Sequence, residues 1–204
     1  MEMREVQISY VDALKTSFTW GLKNLPSILG AVVLYVLTCW VPYINIGTTI
    51  ALVTLPIELS KGKVVSPTFI FDGKYRKYMG EMFLLWGLKF QGVFLGTLFF
   101  IIPGIVISFS WLLGSFLVID KGLNPLEALT KSNQYTNGNK KSIFLTYLII
   151  AIGLGLVTFI LGLIPAVGGV LSFLVIIACS PMFISMEAYF YKKLVLDREN
   201  TPIE

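Results

Sequence analysis

Long apolar runs alternate with short uncharged turns and longer polar intervals along this chain. Six apolar runs can be distinguished, at 27–41, 46–59, 79–102, 105–119, 143–164 and 170–191. The first two are shorter than the roughly 20 residues of a straight transmembrane helix. Helical continuation into the flanking residues, or a tightly packed hairpin, would make up the difference. The pattern therefore predicts six transmembrane helices.

The runs are joined in pairs by short turns that lack charge. These turns contain Pro42, Asn45 and Gly47, then Pro103 and Gly104, and finally Pro165 to Gly169. Proline and glycine are the strongest local signals for a turn. The six runs are therefore predicted to form three hairpins, each turned at a proline.

The polar interval 120–142 carries signals for a short helix with both ends marked. Asn124 suits the N-cap, Pro125 suits the first helical position, and a carboxylate such as Glu127 is favoured near a helix N-terminus. Asn137 and Gly138 can adopt the left-handed conformation that ends a helix. A capped helix is predicted between them.

Similar short helices are predicted before the other two hairpins. Residues 9–23, with Ser9 as candidate N-cap, space apolar positions by three or four but are too polar to cross a bilayer. They are predicted to lie at the membrane interface, and Asn24 and Pro26 mark a break before the first span. Ser66 followed by Pro67 loosely repeats the N-cap and first-turn proline found at Asn124 and Pro125.

The first and third units align without a gap when Asp12 is placed on Glu127. The first-unit residues are Asp12, Ala13, Leu14, Ser17, Trp20, Asn24, Ser27 and Ile28, and their partners are Glu127, Ala128, Leu129, Ser132, Tyr135, Asn139, Ser142 and Ile143. A rival register aligns the WGLK at 20–23 with the WGLK at 86–89. That register would move Lys89 to the interface.

The alignment predicts one transmembrane domain, 1–204, built from three units. The units span about 9–60, 66–120 and 124–191, and a charged tail, 192–204, is expected to fray. Each unit enters from and returns to the same side, so the repeats are parallel in topology. The predicted fold class is all-α integral membrane, with six transmembrane helices in three proline-turned hairpins, each preceded by a short interfacial amphipathic helix.

The distribution of basic residues predicts the orientation. Of the 16 lysines and arginines, all except Lys89 lie in the N-terminal segment, the two polar intervals or the tail. The positive-inside rule places these segments, and both termini, in the cytoplasm. The N-terminus lacks the pattern of a cleavable signal peptide. We therefore expect a multi-pass protein of the cell (inner) membrane.

Composition supports a membrane protein and argues against nucleic-acid binding and metal or cofactor chemistry. The chain is 55% hydrophobic and 14% charged, and its net charge of +4 is scattered without an aromatic-interleaved basic stripe, so nucleic acid is not an expected partner. Cys39 and Cys179 lie in apolar runs and imply no disulfide framework. Histidine is absent, and no metal-spaced ligands, paired carboxylates or phosphate-binding loop are found, so no catalytic residue, metal or cofactor is assigned.

The segment 101–144 resembles the signature of a group of prokaryotic multispanning proteins. That group includes the YciC-like proteins and the membrane domain fused to some glycerophosphodiester phosphodiesterases. The matching positions are Pro103, Gly104, Asp120, Pro125, Glu127, Ala128, Leu129, Ser132, Gly138 and Asn139. The resemblance implies a membrane protein without an established common activity. The chain has no phosphodiesterase domain, so that activity is not transferred.

Lys89 and Glu187 are the candidate polar residues within the membrane. An ammonium inside a span is costly and usually faces a bundle interior or a wet cavity. One interpretation is that Lys89 snorkels to the interface or pairs with Glu187; the other is a functional site. Pro56 and Pro181 are expected to kink their helices, either for packing or to free carbonyls for a cation.

Two further patterns concern assembly. Close helix approach is predicted at Gly92, Gly96, Gly153, Gly155 and Gly162. An anchoring belt at the cytoplasmic interface is predicted from Tyr10, Trp20, Tyr75, Tyr78, Tyr135, Tyr189 and Tyr191.

These patterns predict a non-enzymatic membrane protein. The leading hypothesis is a scaffold or accessory subunit in an envelope or lipid-related process, with the bilayer and either further copies or another membrane subunit as partners. The alternative is a small channel or transporter with a pathway near Lys89. A membrane-bound lipid enzyme ranks third because the clustered acids and metal that such enzymes need are not found.

Overall fold

The computed structural model describes residues 6–200, excluding the side chain of Asn200, and over this range the chain is all-helical. The α-helices are α1 (Tyr10–Lys23), α2 (Leu25–Thr38), α3 (Pro42–Ser60), α4 (Met79–Phe99), α5 (Ile101–Ser110), α6 (Gly114–Lys121), α7 (Pro125–Thr136), α8 (Lys140–Gly162), α9 (Gly168–Tyr191) and α10 (Asp197–Asn200). Two 3₁₀ helices, Pro67–Phe71 and Gly73–Tyr78, precede α4. Residues 1–5, on which the signal-peptide expectation partly rests, and 201–204 of the tail lie outside the described residues.

Five helical segments are long and apolar enough to cross a membrane. They are Pro42–Ser60, Gly73–Phe99, Ile101–Lys121, Lys140–Gly162 and Gly168–Glu199. A sixth is obtained if α1 and α2, which meet at 79°, count as one bent span. This set is compatible with a multi-pass membrane protein, as the hydrophobic pattern predicts.

The bend between α1 and α2 lies at Asn24, where the sequence predicts a break. The backbone N–H and the side-chain amide of Asn24 both donate to the Trp20 carbonyl, each at 3.0 Å, and so close the end of α1. Helix α1 packs along α9. A Cβ on Gly21 would lie 3.3 Å from the backbone of Met182, so glycine permits this close approach.

Two of the predicted turns lie elsewhere than expected. Pro42 is the first residue of α3, and Asn45 and Gly47 continue that helix, so the chain turns before Pro42. Pro103 and Gly104 lie inside α5, and the turn is made by extended Phe100 (φ −157°, ψ 143°). The reason is the same in both places: the first four amides of a helix have no intrahelical acceptor, so proline fits there without losing a hydrogen bond.

The segment Ile101–Lys121 is one span in two pieces. Helix α5 ends at Ser110, α6 begins at Gly114, and Trp111 to Leu113 form a non-helical turn between them. The sequence predicts a continuous run here, because the apolar pattern is uninterrupted. Hydrogen bonds from Ser132 in α7 stabilise the break.

Glycines mediate close packing between α4 and α5 but have no such role in α8. A Cβ on Gly104 would lie 2.9 Å from the Thr97 nitrogen, and one on Gly92 would collide with the Trp111 ring. By contrast, a Cβ added at Gly153, Gly155 or Gly162 would have no neighbouring atom within 4 Å among the described residues. Within the described chain these three glycines therefore mediate no close approach, because this part of α8 faces outward, and their predicted role in assembly stays a prediction.

The first part of the tail is helical rather than frayed. Residues Lys192–Leu196 form a π-helical turn that continues into α10, and Leu194 and Val195 are buried. Two apolar side chains with a helical spacing to Tyr191 and Phe190 extend the buried face of α9. The expectation of fraying is wrong for this part of the tail.

Candidate functional site

Helix α7 begins and ends where the sequence predicts. The Glu127 amide donates to the Asn124 side chain at 2.9 Å, and Pro125 occupies the first turn. The Glu127 carboxylate also accepts from the side-chain amide of Asn124 at 3.3 Å. Gly138, just beyond the helix, has φ +79°. The residues at 124–138 therefore define a capped helix with one buried face.

Ser132, on the buried face of α7, bridges the break between α5 and α6. Its hydroxyl donates to the Ser110 carbonyl at 2.7 Å and accepts from the Leu113 amide at 3.1 Å. Both groups are backbone atoms that the interrupted helix leaves without partners. Ala128 and Leu129, on the same face, are buried, and Leu129 packs beside Gly114. These motif residues hold a broken span in shape.

Asp120 joins the ends of three helices. Its carboxylate accepts hydrogen bonds from Lys61, which follows α3, and from the Tyr191 hydroxyl at the end of α9, the latter at 2.5 Å. Asp120 itself lies near the end of α6, and its side chain is only 11% exposed. We call these three residues the Asp120 node. It fixes the last turns of α3, α6 and α9 beside one another.

A second polar contact docks α10 on the same end. Glu199 accepts from the Tyr135 hydroxyl at 2.9 Å and pairs with Lys121. Burial of Tyr135, together with the hydrogen bond to Glu199, raises the pKa of the phenol to about 12. The phenol therefore stays a hydrogen-bond donor throughout the physiological range.

Asn139, the last of the motif positions, holds the segment before α1. Its side-chain carbonyl accepts from the Ile8 amide at 2.7 Å, and its amide donates to the Val6 carbonyl at 2.5 Å. Asn139 is buried. This residue thus ties the beginning of the first unit to the third unit.

The predicted aromatic belt is wrong for most of its members. Tyr75, Tyr135, Tyr189 and Tyr191 are buried, and Tyr135 and Tyr191 direct their hydroxyls to carboxylates inside the protein. A tyrosine spaced for an interfacial belt has the same sequence signal as one that closes a buried polar contact. The two roles differ only in what the fold places beside the ring.

Lys89 lies at the centre of α4, about 15 Å of helix from either end at about 1.5 Å per residue. The Glu187 carboxylate, near the end of α9, is close enough to interact electrostatically with its ammonium. Within residues 6–200, neither an ion pair nor a hydrogen bond joins the two side chains. The structure therefore places them as neighbours without direct contact.

Tyr147, in α8, completes this group, which we call the Lys89 cluster (Lys89, Glu187 and Tyr147). Its hydroxyl donates to Glu187 in a long hydrogen bond of 3.3 Å. The ring is positioned by Phe109 and Phe190, whose centroids lie 5.4 and 6.2 Å away. Three polar side chains from three different spans thus share one partly buried region. The sequence does not mark Tyr147 as part of a polar site, because a single tyrosine in an apolar run carries no distinguishing signal.

Pro181 has a local structural explanation. Pro181 lies inside α9 and cannot donate to the Ile177 carbonyl, and the Ser180 hydroxyl donates to that carbonyl instead, at 2.7 Å. Pro181 is also buried against α1 at Gly21. Packing against α1 therefore gives Pro181 a structural role.

The described residues offer no metal-binding site. Among residues 6–200, no group of three or more histidine, cysteine, aspartate or glutamate side chains is placed to hold a metal ion. Apart from Lys89, the polar side chains described above are paired with one another or with backbone atoms. Comparison of the chain with protein-family models, with curated proteins and with solved structures gives no significant match.

Proposed function

We propose that this protein is a six-span integral membrane protein that acts, without enzymatic activity, as a scaffold or accessory subunit in an envelope or lipid-related process. The observation that supports this most is that the motif residues form hydrogen bonds inside the protein. Ser132, Asp120 and Asn139 each bond to backbone or side-chain groups of another unit. Residues committed to internal contacts fix a shape and leave no reactive group at that site.

In the proposed architecture the chain is three parallel hairpins, α2–α3, α4 to α6 and α8–α9, each led in by a short interfacial element. The Asp120 node supports this arrangement, because it joins the returning helix of every hairpin at one end. Helices α1 and α7 match the predicted leading helices, whereas the middle unit is led in by 3₁₀ helices. The basic residues at this end favour a cytoplasmic position for it and for both termini in the inner membrane.

A small channel or transporter is the second candidate, and the Lys89 cluster is the observation that favours it. Ionisable groups deep in a span are expensive and often line a pathway. Here Lys89 lies within electrostatic reach of Glu187, and no direct ion pair joins them among residues 6–200. A scaffold with a structural charge pair would have the same three residues.

Flux in reconstituted liposomes distinguishes the two functions. Wild type, Lys89→Gln and the control Gln91→Leu, on the exposed side of the same helix, are reconstituted and tested under potassium, sodium, proton and chloride gradients. The scaffold proposal expects all three to match protein-free liposomes. Wild-type flux that Lys89→Gln changes and Gln91→Leu preserves would overturn it and establish a pathway at Lys89.

A further inference from the structure

A pocket of about 200 Å³ opens where the ends of α1, α3 and α9 meet. Three lysines line it, each from a different part of the chain: Lys23 ends α1, Lys63 follows α3, and Lys192 follows α9. Trp20 and Asn24 complete the wall on the α1 side. We call this site the lysine pocket. A water molecule occupies about 30 Å³ in the liquid, so the volume accommodates a phosphate group together with some of its hydration.

Among residues 6–200, two of the three lysines of the pocket have no carboxylate partner. Lys63 is held by Glu58 at 3.0 Å, but Glu58 is not among the lining residues. The Lys192 ammonium lies over the Trp20 ring, 5.5 Å from its centroid. Within residues 6–200, neither Lys23 nor Lys192 has a carboxylate within ion-pair distance, and no aspartate or glutamate lines the pocket.

Lysines at these positions also have a plain structural role. Cations at a helix C-terminus interact favourably with the helix dipole, and three helices end here. That role requires each lysine to lie near its own helix end. It does not require lysines from three distant segments to converge on one open cavity, so the convergence needs a further explanation.

The surroundings of the pocket favour a lipid over a soluble anion. Trp20 provides an indole of the kind enriched at the membrane–water interface. Val64, also in the lining, is 73% exposed and offers an apolar surface next to the lysines. A soluble anion has no use for that surface, whereas the glycerol and first methylenes of a lipid would cover it.

We propose that the lysine pocket binds the phosphate headgroup of an anionic phospholipid. Lys23 and Lys192 donate to the phosphate oxygens, and Lys63 contributes when it exchanges Glu58 for the ligand. Basic pockets between transmembrane helices on the cytoplasmic side are suited to such headgroups. The inference rests on the membrane placement made under the proposed function, but it holds for a scaffold and for a channel alike.

Native mass spectrometry of the delipidated protein tests the proposal. Phosphatidylglycerol and zwitterionic phosphatidylethanolamine are added in turn to wild type, to Lys23→Gln/Lys192→Gln, and to the control Lys15→Gln/Lys141→Gln. The control removes the same charge from exposed positions outside the pocket. We expect the pocket variant to bind phosphatidylglycerol at least about tenfold more weakly than wild type, whereas the control should bind it about as well as wild type. Binding of phosphatidylethanolamine should change in neither variant.

Two other outcomes would overturn the proposal. Equal weakening in both double variants would mean that only net charge matters. Displacement of the lipid by millimolar inorganic phosphate, or phosphate binding of equal strength, would indicate a site for a soluble anion. Thermal unfolding without lipid separates the helix-end role, because loss of that role lowers stability whether or not lipid is present. None of these results alters the liposome flux, so a failure here is distinct from a failure of the proposed function.

Discussion

The Ser132 hydroxyl serves two backbone groups at once, and its loss affects them unequally. The Ser110 carbonyl keeps a second donor, Thr136, at 3.3 Å, but the buried Leu113 amide loses its acceptor. We expect Ser132→Ala to destabilise the protein by about 1–3 kcal/mol, the cost of an unsatisfied buried donor. Thermal unfolding in detergent measures this loss.

The control for Ser132 is Thr130→Ala on the exposed side of α7. Its hydroxyl bonds only within the helix, to the Leu126 carbonyl at 2.9 Å. A change within about 0.5 kcal/mol is expected there. Equal losses for the two variants would mean that the α5–α6 break does not depend on Ser132.

The raised pKa of Tyr135 predicts that the stability of the protein depends on pH in the alkaline range. Its folded pKa, about 12, lies above the ordinary value of 10.0, so the native state holds the proton more tightly than the unfolded state. This stabilisation, of order 1–2 kcal/mol, is complete below pH 10 and is lost as the pH rises through 12. Tyr135→Phe should therefore unfold with a shallower loss of stability between pH 10 and 12, whereas exposed Tyr10→Phe should follow wild type.

Lys89 and Glu187 should be energetically coupled. Their charges interact in a region of low dielectric, so each loses a favourable interaction when the other is neutralised. We expect Lys89→Met and Glu187→Gln to show a coupling free energy of about 0.5–2 kcal/mol in a double-mutant cycle of thermal stability. Purely additive effects would contradict the pairing and leave Lys89 as a snorkelling residue.

At the scale of the helices, the α4–α5 hairpin depends on one close contact. A Cβ at Gly104 would lie within 3.0 Å of Thr97 backbone atoms, which cannot move as a flexible side chain can. Gly104→Ala should therefore separate the two helices and lower the melting temperature by several degrees.

Gly153→Ala is the matched change in a helix that has open space at this position. Alanine is the better helix former by up to about 1 kcal/mol, so this variant should be neutral or slightly more stable. Destabilisation of similar size at both positions would contradict the assigned packing.

The elements that the sequence predicts well are those whose signals are local. Asn124, Pro125 and Gly138 mark α7 because a cap, a first-turn proline and a left-handed glycine each act within a few residues. The 79° bend after α1 follows in the same way from Asn24 and Pro26. Here local chemistry and the final fold agree.

The break between α5 and α6 could not be predicted, because its cause is remote in sequence. Nothing in the apolar run distinguishes Trp111 to Leu113, and the bonds that stabilise the break come from Ser132. The Lys89 cluster is a similar case. Its charges are visible in the sequence, but the contribution of Tyr147 depends on how α8 packs against α9.

For the whole molecule, the Asp120 node limits how the spans can run. Lys61, Asp120 and Tyr191 each lie at or just beyond the last turn of a returning helix, and their contact places those three ends together. Helices that end together and are each preceded by an antiparallel partner share one direction. In the proposed architecture, where each of these helices follows an antiparallel partner, the three hairpin turns lie together at the opposite end.

That arrangement predicts labelling from opposite sides of the membrane. In a background with Cys39→Ser and Cys179→Ala, single cysteines are introduced at the hairpin turns, at Trp40, Phe100 and Ala166. A membrane-impermeant maleimide should label these three in spheroplasts and not in inverted membrane vesicles. All three positions are exposed on the protein surface, and labelling after denaturation in detergent controls for shielding by the bilayer.

Cysteines at Lys74 and Lys141 should show the reverse pattern, because both exposed lysines lie at the end that carries the basic residues and the Asp120 node. The positive-inside rule assigns that end to the cytoplasm. Opposite labelling of all five positions would invert the orientation but keep the parallel hairpins. A hairpin turn that reacts together with Lys74 would break the parallel repeat, since one unit would then cross the membrane in the opposite sense.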